Sequence, residues 1–305
     1  MLDVHRLRLL RELSYRDTIA AVAQALAYTP SAVSQQLAAL EREAGVPLLE
    51  RSGRRVRLTP VARTLVAHTE AVLDQLERAE ACLAAAGTKL TGTLRIGAFP
   101  SAARAILPPA LVALGRDHPG LELTVAEVDP VHAADLLRAG ELDAALTHDY
   151  DRVPQPEHHA LTSAVVLAEP MYLASARPPG DLDHPVASFR DDTWVMGSPG
   201  TLCRLAAERI CQAAGFLPRI RHQIDDDATV LSLVVAGQGV TIVPRLATMD
   251  PPSGLVLTPL PDVRRLRLTH RRGADAHPAI AAFRHAVHTA VAYQPPAGPA
   301  PAAES

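Results

Sequence analysis

Residues 29–45, TPSAVSQQLAALEREAG, constrain the fold more strongly than any other stretch of the chain. Val33, Leu37 and Leu40 recur at helical spacing and make one narrow apolar stripe. The opening Thr-Pro pair is typical of an N-cap followed by a first helical turn, and the closing Gly is typical of a helix end. The sequence therefore predicts a helix of about four turns with a single buried side.

The opposite side of this helix is small and polar. It holds Ser31, Ser34, Gln35, Ala38 and Arg42. Such a side lets the helix approach another surface closely. Two earlier helices are predicted at about residues 4–13 and 19–27, and the tight turn AYTPS leads into the third. Short helices joined by a tight turn are typical of a helix-turn-helix.

A basic hairpin is predicted directly after this helix. Residues 48–51 and 55–58 bracket a Ser-Gly turn, and Arg51, Arg54 and Arg55 lie at or beside that turn. We interpret the hairpin as a wing whose arginines reach phosphate oxygens or enter a minor groove. The alternative is a basic hairpin that is merely solvated.

Charge is distributed unevenly along the chain. Residues 1–63 contain ten arginines and six acids, although the whole chain has a net charge of −3. A basic N-terminal part on an acidic body favours nucleic-acid contact by the first part only. Hydrophobic residues make up 48% of the chain, enough for a sizeable core, but no apolar run is long enough to span a bilayer. Because the start has no signal-peptide core, we expect a cytoplasmic protein without membrane contact.

A long amphipathic helix is predicted at residues 60–86, where Thr-Pro opens it and Gly ends it. Apolar and small residues recur there at alternating spacings of four and three, and the largest are Leu65, Val72, Leu76 and Leu83. That pattern is a heptad seam of about three repeats. We predict that the seam joins two copies of the chain, and the alternative is packing on its own domain.

The remainder of the chain alternates predicted strands with predicted helices. Strands are expected at 93–99, 121–128, 142–148, 161–175, 193–198, 219–224, 240–244 and 266–272, and helices at 101–118, 130–139, 201–214, 228–236 and 276–293. Because helices separate most of the strands, we expect parallel sheets covered on both faces. The proline- and alanine-rich tail at 294–305 is predicted to be disordered.

The run TIAAVAQAL and the longer run TPSAVSQQLAALEREAGVPLLERSGRRVRLTPVA strongly resemble the LysR-type transcriptional regulators. The phrases GTLRIGA, LPPALVAL, HPGLELTV, LLRAGELDAAL, AAGF and VVAGQGVTIVP extend this resemblance over residues 1–292. It implies an α/β protein with an all-α, winged N-terminal module and a two-lobed effector domain like a type 2 periplasmic binding protein. The expected parts are the winged helix-turn-helix at 1–59, the linker helix at 60–87 and the effector domain at 92–293, with lobe I at about 92–164 and 267–293 and lobe II at about 165–266.

The resemblance also implies a function and partners. The chain is expected to be a sequence-specific DNA-binding regulator that is controlled by a small-molecule effector between the two lobes. Double-stranded promoter DNA is the expected partner, together with a second copy of the chain through the linker helix, a homotetramer, and RNA polymerase. No cofactor, no metal and no catalytic residue are expected.

The residues expected to contact DNA are Thr29, Pro30, Ser31, Ser34, Gln35, Gln36, Arg42, Arg51, Arg54 and Arg55. Glutamine bonds adenine N6 and N7, whereas serine accepts several bases. Many relatives carry Arg where Gln35 stands, which leaves the base preference at that step open. The alternative is that the serines are only helix caps, an interpretation that fits Ser31 better than Ser34.

Ligands of two-lobed α/β domains lie at the carboxyl ends of strands and at helix N-termini. Four such places hold the expected effector-binding residues, which are Phe99, Ser101, Thr147, His148, Ser198, Gly200, Thr201, Val243 and Pro244. The ligands of the family are commonly small carboxylates. The hydroxyls of Ser101, Ser198 and Thr201 are suited to such an anion, and the alternative for each is plain N-capping.

Two further features allow two interpretations each. The consecutive acids Asp225, Asp226 and Asp227 would attract a cationic effector or cap a helix, and capping is the favoured interpretation. Cys203 and Cys211 would form a redox switch of the kind some relatives use. However, both fall on one predicted helix about 12 Å apart by helical rise, so a disulfide would require unwinding.

Other function classes have little support in the sequence. No nucleophile elbow, P-loop or dinucleotide fingerprint is present, so an enzyme is not indicated. A periplasmic solute-binding protein would lack residues 1–90, and an architectural DNA binder would not need so large a body.

Overall fold

The computed structural model describes residues 1–52, 55–87, 89–154 and 158–293, with the backbone alone for Arg51, Ser52 and Arg55. The predictions for Arg54 and for the tail at 294–305 therefore lie outside the described residues. Among the described helices, none combines the length and apolar character needed to cross a membrane.

The N-terminal module consists of three helices and a hairpin. Its elements are α1 (Val4–Arg16), α2 (Ile19–Ala25), α3 (Pro30–Ala44), β1 (Leu49–Ser52) and β2 (Arg55–Leu58). The bounds and caps of α3 are as predicted: the Thr29 side chain accepts a hydrogen bond from the Ala32 N–H, and Gly45 ends the helix with a φ of 70°. The apolar stripe of α3 is buried in the core of the module.

A long helix, α4 (Pro60–Ala85), follows the hairpin. Thr59 caps it by accepting a hydrogen bond from the Ala62 N–H. One side of α4 is buried by its own chain through Ala62, Thr69, Leu73 and Ala81.

The body adds eight strands and six helices within the described residues. They are β3 (Gly92–Ala98), α5 (Pro100–Ala105), α6 (Leu107–Asp117), β4 (Leu121–Glu127), α7 (Pro130–Ala139), β5 (Ala144–Tyr150), β6 (Leu161–Ser175), β7 (Thr193–Met196), α8 (Leu202–Ala213), β8 (Arg219–Gln223), α9 (Asp227–Val235), β9 (Thr241–Pro244), β10 (Val256–Arg271) and α10 (Pro278–Ala292).

The expectation of wholly parallel sheets is wrong. One six-stranded sheet has the order β4-β3-β5-β10-β6-β9, in which β3 pairs in parallel with β4 and β5. The long strand β10 is antiparallel to both β5 and β6, and β6 is antiparallel to β9. β10 begins ten residues before the predicted strand at 266–272, and the missed part makes the pairing with β6 in the second half of the body. A separate pair, β7 with β8, is parallel as expected.

The single helix predicted at 101–118 is also wrong, because the chain forms α5 and α6 with a break at Ile106. Pro108 explains the break. Its ring clashes with the carbonyl of residue 104 in a continuous helix, and it has no N–H to donate. Placed in the first turn of α6, the same proline costs nothing.

The two largest hydrophobic cores of the body mark its two lobes. The first lies between the β3-β4-β5 side of the sheet and helices α5, α6 and α10, and its largest members include Ile96, Ile106 and Phe283. The second surrounds Phe189 and Trp194 and is closed by α8. We call the regions around these cores lobe I and lobe II. The strands β6 and β10 pair along their length and run from one lobe into the other.

Helix α1 is buried on two sides, because it packs on α3 within the module and also contacts α7 of lobe I. Glu12 is 1% exposed and accepts hydrogen bonds from Arg11 and Arg16 at 2.8 and 3.1 Å. Arg11 donates to the backbone oxygen of Arg138 at 3.1 Å, and Arg16 donates to Asp135 at 2.9 Å. The Arg138 guanidinium lies 4.1 Å from the ring centroid of Tyr15. A buried ionic network therefore joins the N-terminal module to lobe I.

Candidate functional site

The polar side of α3 is open to solvent. Ser31, Ser34, Gln35 and Arg42 are all exposed, and they lie opposite the buried stripe formed by Val33, Leu37 and Leu40. Because the stripe fixes the helix on its module, the side chains on the other side are held in one orientation. A groove-reading helix needs such an exposed and rigidly mounted face.

One residue predicted to contact DNA, Gln36, is already engaged within the chain. The amide oxygen of Gln36 accepts a hydrogen bond from Arg6 at 2.9 Å, and Arg6 also pairs with Glu43. Gln36 therefore joins α3 to α1. Thr29 and Pro30 are exposed at the start of α3, where the Thr29 hydroxyl lies 3.0 Å from that of Ser31.

The predicted seam of α4 is partly exposed and partly used within the chain. Val72, Leu76 and Leu83 are 41%, 38% and 76% exposed. Leu65 is placed differently from the prediction, because it packs against the core of the N-terminal module. Thr69, in the same heptad pattern, is buried and donates a hydrogen bond to the Leu65 carbonyl.

A cavity of about 300 Å³ lies between the two lobes. Its walls come from the β3–α5 junction, the ends of β4 and β5, the start of α7, the region around α8 and α9, strand β9, and β10. The predicted residues that line it are Phe99, Ser101, His148, Thr201, Val243 and Pro244. A cavity of this size suits a small metabolite.

Three predicted effector-binding residues are absent from this lining. Thr147 is adjacent to His148 on β5, and it lines a second, adjoining cavity with Ser163 and Thr269. The two cavities share His148 in their walls. Ser198 is bound to Asp225, whose carboxylate accepts hydrogen bonds from the Ser198 N–H at 2.7 Å and from its hydroxyl at 2.5 Å. Gly200, with a φ of 93°, shapes the loop before α8.

A buried arginine that the sequence analysis did not single out crosses the floor of the cavity. Arg264 of β10 lies directly opposite Tyr150 of β5 and Glu169 of β6 in the strand register. Its Nε donates to Glu169 at 2.7 Å, and its Nη2 donates to the Ser101 hydroxyl at 3.1 Å. The guanidinium also lies 5.0 Å from the ring centroid of Phe99. Glu169 therefore compensates the charge of Arg264 inside the protein.

Two polar groups beside this arginine are buried. Nδ1 of His148 has no hydrogen bond, whereas the hydroxyl of Tyr150 lies beside the Cys203 thiol and the Arg264 guanidinium. Burial, together with the nearby Arg264, holds the pKa of His148 well below its ordinary value, so the imidazole is neutral at pH 7. Burial raises the pKa of Tyr150 well above its ordinary value, so the phenol keeps its proton. Both groups are therefore uncharged and able to bond a ligand.

Lobe II contributes a partly buried cysteine, Cys203, to the same cavity. Burial raises the pKa of Cys203 to about 11, and the carboxylate of Asp227 adds to the shift. Cys211 also lies on α8 but does not line the cavity. Burial raises its pKa to about 12. Both thiols are therefore protonated at pH 7, which is the unreactive form.

Two family models match the chain. "Bacterial regulatory helix-turn-helix protein, lysR family" matches residues 4–63, and "LysR substrate binding domain" matches residues 87–292. The chain belongs to the LysR family of transcriptional regulators. A winged helix-turn-helix module joined to an effector-binding domain is thus confirmed as its organisation.

Individual relatives of this LysR-type chain agree with the family assignment. It is 28% identical over 252 residues to "Transcriptional dual regulator GltC" of Bacillus subtilis (strain 168), across 80% of this chain and 81% of the relative. It is 32% identical over 234 residues to a "Probable hydrogen peroxide-inducible genes activator" of Mycobacterium avium, across 74% of this chain and 72% of the relative.

Solved structures show the same fold. A full-length OxyR variant from Pseudomonas aeruginosa superposes with a TM-score of 0.60 at 23% identity, across 98% of this chain and 99% of that chain. Full-length BenM superposes with a TM-score of 0.52 at 21% identity, across 97% of this chain and all of the other.

Sequence reasoning about this LysR-type regulator missed several residues of the cavity. Tyr150 lies two residues after His148 on β5, and a period of two places both on one side of the sheet, so strand periodicity would have found it. Arg264 gave no such signal, because its place depends on antiparallel pairing between segments far apart in sequence. Within the described residues, no group of three or more His, Cys, Asp or Glu side chains is arranged to hold a metal ion.

Proposed function

We propose that this LysR-type regulator inserts α3 into the major groove of promoter DNA. Ser31, Ser34 and Gln35 would face the base edges, Arg42 would lie beside the backbone, and the wing arginines would reach phosphates. The single observation that carries the proposal is the exposure of Ser34 and Gln35 on the rigid side of α3 opposite its buried stripe. Each well-placed bidentate contact to a base adds about 1–3 kcal/mol of discrimination.

Two copies of the chain are needed for useful affinity. A single basic module binds DNA in the non-specific range of roughly 10⁻⁴–10⁻⁶ M at physiological salt. Joining two modules makes the second contact intramolecular and sets the spacing of the half-sites. The exposed side chains of Val72, Leu76 and Leu83 on α4 support a helix-to-helix dimer, and pairs of such dimers would make a homotetramer.

The experiment compares Gln35→Ala with Gln212→Ala, an exposed glutamine of α8 in lobe II. Fluorescence anisotropy measures binding to DNA from upstream of the regulator's own gene and to scrambled DNA of equal length. We expect Gln35→Ala to lower the ratio of specific to non-specific affinity by about tenfold, because one base contact is lost. Gln212→Ala should leave the ratio unchanged. Unaltered selectivity of Gln35→Ala would show that another surface reads the DNA.

The cavity between the lobes is the proposed effector site. Its size, its position at strand ends and the unpartnered Nδ1 of His148 support a small-molecule ligand. A ligand that prefers one arrangement of the lobes would shift the regulator toward it.

Peroxide sensing is a second candidate, because the relative from Mycobacterium avium is named for peroxide induction. The raised pKa values of Cys203 and Cys211 argue against it, since the thiolate is the reactive form. Non-reducing mass spectrometry after peroxide treatment tests the point. We expect neither oxidation nor a disulfide at these two cysteines, whereas rapid formation of either would favour the redox function.

A further inference from the structure

The three consecutive acids at the start of α9 have three different environments. Asp225 binds the loop at Ser198, as described above. Asp226 is the N-cap of α9 and accepts hydrogen bonds from the Thr229 N–H and hydroxyl at 2.8 and 2.6 Å. Asp227 lines the cavity, and no hydrogen bond or ion pair from a described residue reaches its carboxylate. The expectation that these acids cap the helix therefore fits Asp226 but leaves Asp227 unexplained.

The electrostatics of Asp227 indicate an unsatisfied charge. Burial raises the pKa of its carboxyl, although Arg264 and Arg104 act in the opposite direction. Nη2 of Arg264 lies 2.6 Å from a carboxylate oxygen of Glu169. Because Arg264 is paired there, it compensates the charge of Asp227 only from a distance. A partly buried carboxylate without a partner is costly, and it is stabilised when a cation or a hydrogen-bond donor reaches it.

The rest of the cavity wall is acidic as well. Glu127 and Asp129 of lobe I and Asp225 of lobe II also line it. The guanidinium groups on the wall belong to Arg264 and Arg204, and each is already paired, the second with Glu208 at 2.8 Å. The cavity therefore presents an excess of negative charge to a ligand.

Two of the three hydroxyls that would suit a carboxylate ligand already donate within the protein. Ser198 donates to Asp225, whereas Ser101 accepts from Arg264 and keeps its own proton to donate. Thr201 donates to the Ser198 carbonyl at 2.9 Å and accepts from the N–H of Arg204. An anion entering this wall would replace internal hydrogen bonds and approach the Asp225 carboxylate.

A second observation points to a ligand independently of the acids. His148 and Tyr150 are 8% and 5% exposed and line the cavity. Nδ1 of His148 has no hydrogen-bond partner, and the Tyr150 hydroxyl lies beside Cys203 and Arg264. The His148 ring packs edge-to-face on Phe99 with centroids 4.6 Å apart, and on Tyr150 at 5.1 Å. These contacts hold both polar groups in place beside an aromatic wall.

We propose that the effector is a small molecule with a protonated amine, which pairs with Asp227 while its apolar part lies against Phe99. This inference rests on the proposed function of the cavity as the effector site. The unpartnered Nδ1 of His148 provides a further hydrogen-bonding position for the same ligand. The preferred ligand class is therefore aminated, and not the carboxylate that the family resemblance favours.

The test uses three probes that share a phenyl ring and a short chain but differ in charge: phenethylamine, 2-phenylethanol and 3-phenylpropanoate. Isothermal titration calorimetry measures their binding to the full-length protein at up to about 10 mM, since probes of this size bind weakly. We expect the amine to bind about tenfold more tightly than the alcohol, and the carboxylate to bind least.

Asp227→Asn is the decisive variant, and Asp191→Asn, which removes an exposed acid of lobe II outside the cavity, is its matched control. Asp227→Asn should weaken amine binding by about tenfold and leave alcohol binding unchanged, which also shows that the cavity is intact. Asp191→Asn should change neither. Tighter binding of the carboxylate, unchanged amine binding in Asp227→Asn, or no amine binding at all would overturn the inference.

The two proposals fail in different ways. A cavity that prefers 3-phenylpropanoate overturns the amine preference and leaves a ligand-controlled regulator standing. Loss of the proposed function appears instead in the DNA assay, as unchanged operator selectivity of Gln35→Ala.

Discussion

The buried ionic network between α1 and α7 predicts a large effect for one small change, Glu12→Gln. Glutamine keeps the size of Glu12 but removes its charge. Arg11 and Arg16 then lose the carboxylate that they bond at 2.8 and 3.1 Å, and Arg138 loses a carboxylate 3.9 Å away. Arg11 and Arg138 are both nearly inaccessible to water, so solvent compensates them poorly.

The size of the effect follows from the partners that remain. Removing one member of a buried ion pair usually costs about 3–5 kcal/mol. Arg16 and Arg138 both keep Asp135, which pairs with each of them on α7. We therefore expect the lower end of the range, a loss of about 3 kcal/mol in the free energy of unfolding.

Urea denaturation followed by two signals locates the effect. Trp194 is the one tryptophan of the chain and lies in the core of lobe II, so its fluorescence reports that lobe. Far-UV circular dichroism reports the helices, including those of the N-terminal module. We expect the dichroism transition of Glu12→Gln to move to lower urea, and the fluorescence transition to move less.

The control is Glu122→Gln on β4, where the carboxylate is exposed and accepts one hydrogen bond from Thr93 at 2.8 Å. The free energy of unfolding of this surface variant should stay within about 0.5 kcal/mol of the wild-type value. If Glu12→Gln is equally mild, the N-terminal module does not dock on lobe I through this network, and the reasoning is refuted.

Three further outcomes test other features of the chain. Leu76→Glu, which places a charge in the exposed seam of α4, should dissociate the oligomer in analytical ultracentrifugation, and an unchanged mass would contradict the seam. Gly273→Ala should destabilise the fold by about 1–3 kcal/mol in urea, because its φ is 90° and a Cβ would lie 2.4 Å from the Asp74 carbonyl oxygen; wild-type stability would contradict this contact. Burial raises the pKa of Cys203 to about 11, so the thiolate is the main form only above that pH. Cys203 should therefore react slowly with a thiol reagent at both pH 7 and pH 9. Rapid labelling at pH 7 would show a different environment.

Local signals predicted the N-terminal module well. The caps, the apolar stripe and the closing Gly45 of α3 are all short-range features, and the helix begins and ends where they indicate. The break at Ile106 was also within reach, because Pro108 and Pro109 stand in the middle of the predicted helix. Two adjacent prolines at that point predict two helices in place of one.

The cavity was predicted only in part because its residues meet through long-range pairing. Phe99 follows β3 and His148 lies near the end of β5, at the cleft, a position that sequence reasoning can find. Arg264 and Glu169 meet across β10 and β6, which are antiparallel and 95 residues apart at that point. Nothing local in either segment marks that partnership, and the expectation of parallel sheets concealed it.

Helix α7 has one end at the cavity between the lobes and the other end at the N-terminal module. Asp129, its N-cap, lines the cleft, and Arg138, in its last turn, touches the DNA-binding module. Ten helical residues span about 15 Å, and a short helix moves as a stiff rod. If the proposed effector binds in this cleft and tilts α7, the tilt would reach the base of α1 directly, without a relay of intervening side chains.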